Sequence, residues 1–223
     1  MLWADCSACR RVAVRYKAIC IIIIVCVLMS GCQGLKPMKN LEDVNTKLLK
    51  LEDYTCDVTM RVTNNRSTME YKLKHFYKSP DKYRLEVIAP LELTGQITIY
   101  NGKSSYIYHP GIRQYLVTED FTGSLEYNSF IGSFIEYIRK PDRIKTSTAK
   151  EGKKEFFVLE FGVPESNSYM SIERLWLDPV EAVPVKAEIY GEDGKKNIEI
   201  FYYNFVCNSG LKDGDFEINQ NIQ

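Results

Sequence analysis

The feature that most constrains this chain is a strict two-residue alternation that begins at Tyr54. Cys56, Val58, Met60 and Val62 alternate with Thr55, Asp57, Thr59 and Arg61. After Asn64-Asn65 it resumes: Met69, Tyr71, Leu73, His75 and Tyr77 alternate with Glu70, Lys72, Lys74, Phe76 and Lys78. Successive side chains of a strand point to opposite faces, so such a segment has one apolar face and one wet face. A helix would smear this pattern around its circumference. The chain must therefore build antiparallel sheet with one covered face.

The rest of the chain extends that sheet. Ser79-Pro80-Asp81 turns it into a third strand around Tyr83, Leu85 and Val87. Gln96 to Tyr100 and Ser104 to Tyr108 flank Asn101-Gly102, a strong hairpin signal. Arg113 to Thr118 adds a strand. Arg143 to Ala149, Lys154 to Val163, Tyr169 to Leu177, Pro184 to Tyr190 and Asn197 to Cys207 continue the series. The total is ten or eleven, and a sheet that wide should curl. The expected fold is mainly β: a curved antiparallel sheet, an incomplete barrel of about eleven strands with helices on the concave side. The 15 Tyr and 10 Phe suit it.

Two segments break the period. Leu41, Val44, Leu48, Leu49 and Leu51 fall at near-helical spacing, predicting an amphipathic helix of about 12 residues with Asn40 as N-cap. Between Tyr127 and Arg139, Phe130, Ile131, Phe134, Ile135 and Ile138 mark a strongly apolar helix, with Asn128 as its cap and Pro141 as its limit. The concave face is expected to carry Val58, Met60, Tyr71, Leu73, Leu85, Val87, Ile97 and Ile99. Those residues either line a lipid cavity or are packed shut by Phe130, Ile131, Phe134 and Ile135, which would act as a plug.

Ahead of the sheet lies a different kind of segment. Arg10, Arg11, Arg15 and Lys17 precede an apolar run from Ile19 to Met29, followed by Ser30-Gly31-Cys32. A basic flank, a short apolar core and a small-residue exit describe a secretory signal. Met29-Ser30-Gly31-Cys32 resembles the bacterial lipobox. That resemblance implies cleavage before Cys32 and diacylglycerol on its sulfur, with palmitate an expected acyl chain. The expected divisions are a signal peptide at 1–31, a lipidated tether at 32–40 and one domain at 41–223.

Without residues 1–31, 25 basic and 28 acidic side chains remain, a net charge of −3. This balance argues against a nucleic-acid partner and against a polybasic membrane patch, so the lipid must make the membrane attachment.

Catalytic and metal constellations are not evident in the sequence. The only two histidines, His75 and His109, have no neighbouring histidine or cysteine. Gly102-Lys103-Ser104 looks like the end of a phosphate-binding loop, but Ile97 stands where that loop needs glycine. Glu119-Asp120 and Glu192-Asp193 sit in turn-like settings and read as solvated surface. Beyond the lipid on Cys32, no cofactor is expected. In a simple meander of eleven strands, Cys56 and Cys207 would lie about 25 Å apart, too far for a disulfide. An even strand count or an exchanged strand would bring them together.

Leu175-Trp176-Leu177-Asp178-Pro179, Pro184-Val185-Lys186, Glu188 and the Gly191–Gly194 turn resemble a strand-turn-strand of the lipoprotein-carrier (LolA/LolB-like) superfamily. Tyr203-Asn204-Phe205, Gly210-Leu211 and Phe216 are similar to that family's tail. Within the superfamily the chain resembles the clostridial spore-germination lipoproteins called GerS. This likeness implies a non-enzymatic protein that binds a zinc-dependent N-acetylmuramoyl-L-alanine amidase acting on cortex peptidoglycan, the zinc being held by the partner. The carriers imply the alternative, a lipid or lipoprotein carrier or receptor with acyl chains in the concave face. Exposed sheet edges also make a homodimer a plausible expectation.

Overall fold

A computed structural model of the chain describes residues 41–118, 124–139, 143–163 and 166–218. The signal segment, Cys32, the tether and Glu119-Asp120 lie outside the described residues.

The domain opens with α1 (Leu41–Leu49). Its apolar stripe is buried at Val44 and Leu48, and Leu51 follows them inward, whereas Leu49 points out. Next come β1 (Asp53–Thr63), β2 (Thr68–Lys78), β3 (Lys82–Ala89), a 3-10 turn at Leu91–Leu93, β4 (Ile97–Asn101), β5 (Ser105–His109) and β6 (Gln114–Thr118). Two short helices follow, α2 (Leu125–Asn128) and α3 (Ile131–Ile138). β7 (Lys145–Glu151), β8 (Lys154–Gly162), β9 (Ile172–Leu177), β10 (Pro184–Tyr190) and β11 (Lys196–Cys207) complete one sheet, and a 3-10 turn at Asp213–Phe216 follows.

The eleven strands form a single unclosed sheet in the order β6-β5-β4-β3-β2-β1-β11-β10-β9-β8-β7, antiparallel throughout. The fold class is that of an incomplete barrel. The strand order differs from a simple meander at one point. The first and last strands are neighbours at the middle of the sheet, and Tyr54 stands opposite Cys207. The distance expected between Cys56 and Cys207 is therefore corrected: both lie on adjacent strands, close together. The meander estimate failed because the second half of the sheet is added on the other side of β1, which makes β6 and β7 the edges. Both cysteines are free thiols, Cys56 buried and Cys207 half-buried.

The inner face forms one apolar cluster that includes Val58, Leu73, Leu85, Leu175, Ile189 and Ile200. The outer face carries a row of charges joined strand to strand. Lys145, Glu160, Arg174 and Glu188 stand opposite one another from β7 to β10, and Glu199, Arg61 and Glu70 extend the row to β2. Signs alternate except at Glu188 and Glu199, where Lys196 contacts both carboxylates. Like charges directly opposite each other destabilise a sheet, and the lysine offsets this. At the C-terminal turn, Asp213 Oδ1 pairs with Lys78 at 2.9 Å and Lys82 at 3.1 Å. Phe216 is buried there, so the tail does dock.

Candidate functional site: the concave face and its plug

Five of the eight expected concave residues come together around one cavity. Met60, Tyr71, Leu73, Leu85 and Val87 line a space of about 170 Å³, which Leu125 and Glu126 of α2 help enclose. Val58 is buried in the same core. Ile97 and Ile99 require correction. The register pairs them with Glu86 and Arg84, both on the outer face, so the inner positions of β4 belong to Thr98 and Tyr100. The 3-10 turn at Leu91–Leu93 offsets the alternation between β3 and β4.

Phe130, Ile131, Phe134 and Ile135 fill the middle of the concave face. The first three have no exposed surface, and Ile135 is 4% exposed. The single expected helix is broken in two. Ser124, rather than Asn128, caps α2 by accepting the Tyr127 amide at 3.0 Å. The break falls at Ser129-Phe130, where Phe130 has an extended backbone and begins α3 without a side-chain cap. An eight-residue helix is too short to persist alone. It is held by burial, worth about 1.5–3 kcal/mol for each large side chain, and by polar bonds from the sheet.

Those bonds come from three strands, β1, β2 and β11. The Ile131 amide, a helix-end donor with no partner within its own helix, donates to Tyr54 Oη at 3.0 Å. Tyr202 Oη donates to the Ser129 carbonyl at 2.9 Å. Ser129 Oγ gives its proton to the Glu126 carbonyl at 2.6 Å and lies 3.4 Å from His75 Nε2. With that hydroxyl proton committed, Nε2 is the protonated nitrogen and Nδ1 the bare one; Nδ1 has no partner. His75 stacks on Phe130 at 4.2 Å. Burial lowers its pKa to about 3, so it is neutral.

Tight packing completes the plug. A Cβ on Gly132 would stand 2.4 Å from Tyr77 Cε2 and 2.9 Å from Tyr83 Cε1, so glycine lets the helix backbone lie on the two rings. Phe134 meets Phe161 edge-on at 4.9 Å, and Tyr137 stacks on Phe161 at 4.6 Å.

One inner side chain escaped the sequence reading. Glu173 on β9 is fully buried, and neither carboxylate oxygen has a hydrogen-bond partner. Desolvation raises its pKa well above the usual carboxylate range. Its signal was its parity: Glu173 alternates in step with Leu175 and Leu177. His109 serves locally, accepting the Gly111 amide on Nδ1 at 3.2 Å. Gly102-Lys103-Ser104 is a hairpin tip, with Asn101 Oδ1 accepting the amides of Lys103 and Ser104. Among the described residues no group of three or more His, Cys, Asp or Glu is placed to hold a metal. No described helix is long and apolar enough to cross a membrane.

An incomplete barrel whose concavity is filled by its own inserted helix defines a plugged half-barrel. The chain belongs to the YdcC-like sporulation protein family, whose family model matches residues 14–216. No curated protein sequence matches it. Among solved structures, an uncharacterized conserved protein from Thermus thermophilus is similar over 82% of this chain and 96% of its own, with TM-score 0.54 and 11% identity. The LolA superfamily protein NE2245 from Nitrosomonas europaea is similar over 79% and 97%, with TM-score 0.43 and 14% identity. A chain from the structure of the Clostridioides difficile CwlD amidase in complex with the GerS lipoprotein is similar over 79% and 98%, with TM-score 0.44 and 25% identity.

Proposed function

We propose that this protein is a lipid-anchored, extracytoplasmic, non-catalytic binding module that engages and activates a cortex peptidoglycan N-acetylmuramoyl-L-alanine amidase during spore formation. The occupied concave face carries this reading. Phe130, Ile131 and Phe134 have no exposed surface, so the interior that a carrier would keep for acyl chains is taken, and the outer surface and sheet edges are left for a partner. Membership of a sporulation family supports the setting. The resemblance to the GerS lipoproteins supports the partner class, with zinc contributed by the amidase. Diacylglycerol on Cys32 would tether the domain a short stretch of chain ahead of α1.

The edges differ in a way that bears on self-association. β7 is polar, with Lys145 and Lys150, whereas β6 exposes Leu116 and Val117 (66% and 57%). Lysines guard an edge against pairing, so a homodimer would use β6.

The alternative, a lipid carrier, keeps one observation in its favour: the cavity lined by Met60, Tyr71 and Leu73. At about 170 Å³ it is smaller than the roughly 300–1,000 Å³ of small-molecule sites. The test is an amidase assay on cortex peptidoglycan with purified amidase, with and without the full chain. Stimulation with coelution of the two proteins supports the module. An unaffected amidase, with acyl lipid extracted from the purified chain, supports the carrier.

A further inference from the structure

The outer face holds a feature that neither the plug nor the amidase reading uses. Over β7, β8 and β9 lies a groove of about 380 Å³, within the size range of small-molecule sites. By register, Ser147, Val158 and Trp176 form its central row and Lys145, Glu160 and Arg174 the row beside it.

Trp176 is held in a fixed orientation. Its Nε1 donates to Glu188 Oε2 at 3.1 Å, and Lys186 Nζ stands 3.8 Å from the indole centroid. Lys186 and Glu188 are 7% and 5% exposed and pair at 3.4 Å. Tyr190 Oη also donates to Glu188, at 3.1 Å. A buried ion pair contributes little net stability compared with an apolar pair, and on the outside of a sheet it is not required to fill a core. What it accomplishes here is to lock an indole beside a groove, the kind of supporting shell that binding sites need.

The charge of the groove is equally specific. Glu160 accepts from Arg174 Nε at 2.7 Å and pairs with Lys145 Nζ at 3.2 Å. Two cations face one carboxylate, leaving one positive charge in excess. The Lys145 side chain is 84% exposed, so its ammonium turns toward a ligand at little cost. Val158, Ala149 and the indole offer an apolar floor, and the Ser147 hydroxyl offers a donor and an acceptor. A polyphosphate would meet the Glu160 carboxylate, and an acyl chain would strand the polar rim.

We propose that this groove binds an acidic saccharide, with the C–H face of a sugar ring on Trp176 and Val158, a ring hydroxyl on Ser147, and a carboxylate on Lys145. The site belongs to this chain alone and stands whether or not an amidase is the protein partner.

Trp3 and Trp176 are the only tryptophans, so the full chain carrying Trp3→Phe, in detergent, reports on the groove through a single indole. It would be titrated with a tetrasaccharide containing N-acetylmuramic acid and with neutral chitotetraose. The expected result is a saturable fluorescence change with the acidic sugar, at several-fold lower concentration than with the neutral one. Lys145→Ala, at an exposed position, should weaken acidic-sugar binding by about threefold to fivefold and leave the neutral sugar unchanged. No saturable change, equal response to both sugars, or indifference to Lys145→Ala would overturn the proposal. A change seen only on adding the amidase would also overturn it and make the groove a protein contact.

Discussion

The Tyr54 hydroxyl accepts the Ile131 amide at 3.0 Å, joining the first strand of the sheet to the start of the plug helix across 77 residues of sequence. Both groups are buried. Removing the hydroxyl leaves a buried amide without a partner, which costs about 1–3 kcal/mol. Tyr54→Phe should therefore lower the unfolding free energy by that amount, read as a lower urea midpoint with little change in m-value. Tyr202→Phe, which frees the Ser129 carbonyl, should act similarly. Because both bonds hold one element, the double variant should depart from additivity; a simple sum would mean that the two bonds are independent.

Gly132 tests the packing of the same helix. Its would-be Cβ meets the Tyr77 and Tyr83 rings at under 3.0 Å. Gly132→Ala should destabilise the domain by about 1–3 kcal/mol despite alanine's better helix propensity. It should also loosen the plug, read as increased binding of a hydrophobic dye at equal folded fraction.

His75 gives a pH dependence of defined sign. In the unfolded chain it takes a proton near pH 6.5, and in the folded chain only near 3. The unfolded state thus binds the extra proton between those values, so this contribution is intact above about pH 6.5 and is lost as pH falls toward 3, at about 1.4 kcal/mol per unit. His75→Phe should flatten the acid limb of a stability-versus-pH curve. An unchanged limb would mean that the folded histidine still titrates.

Glu173 acts with the opposite slope. Burial raises its folded pKa above the ordinary value near 4.5, so the unfolded state loses its proton first. Stability from this group is full below pH 4.5 and falls as pH rises toward the folded pKa. Glu173→Gln, which keeps the shape and removes the ionisation, should stabilise the domain more at about pH 8 than at about pH 4 in paired thermal melts.

The Lys186–Glu188 pair yields a contrast between single and double changes. Lys186→Met alone leaves the Glu188 carboxylate with Lys196, Trp176 and Tyr190 as its partners and should cost about 1–3 kcal/mol. Combining it with Glu188→Gln should recover most of that loss. Chemical denaturation of the three variants checks it.

Much of the sheet was legible because period-two alternation is local. β1, β2 and the β4–β5 hairpin follow directly from Tyr54–Val62, Met69–Lys78 and Asn101-Gly102. What stayed hidden was nonlocal or depended on an offset. Nothing near Cys56 or Cys207 says that their strands are neighbours, because pairing partners are chosen by the whole sheet. Ile97 and Ile99 read as inner because alternation was carried through the 3-10 turn at Leu91–Leu93, which shifts the face. The apolar spacing from Tyr127 to Ile138 revealed the plug and concealed its break, since Phe130 keeps the same apolar character in an extended conformation. The ring around Trp176 was invisible as a site because alternation marks Trp176, Lys186 and Glu188 simply as outward.

In the proposed function the interior is closed to lipid and the partner is a protein. Native mass spectrometry of the full chain in detergent, alone and mixed with the cortex amidase, separates these possibilities from a carrier. The expected spectra show no noncovalently bound lipid on the chain alone and a defined complex with the amidase. A bound acyl lipid with no complex would contradict the proposed function and restore the concave face as a carrier site.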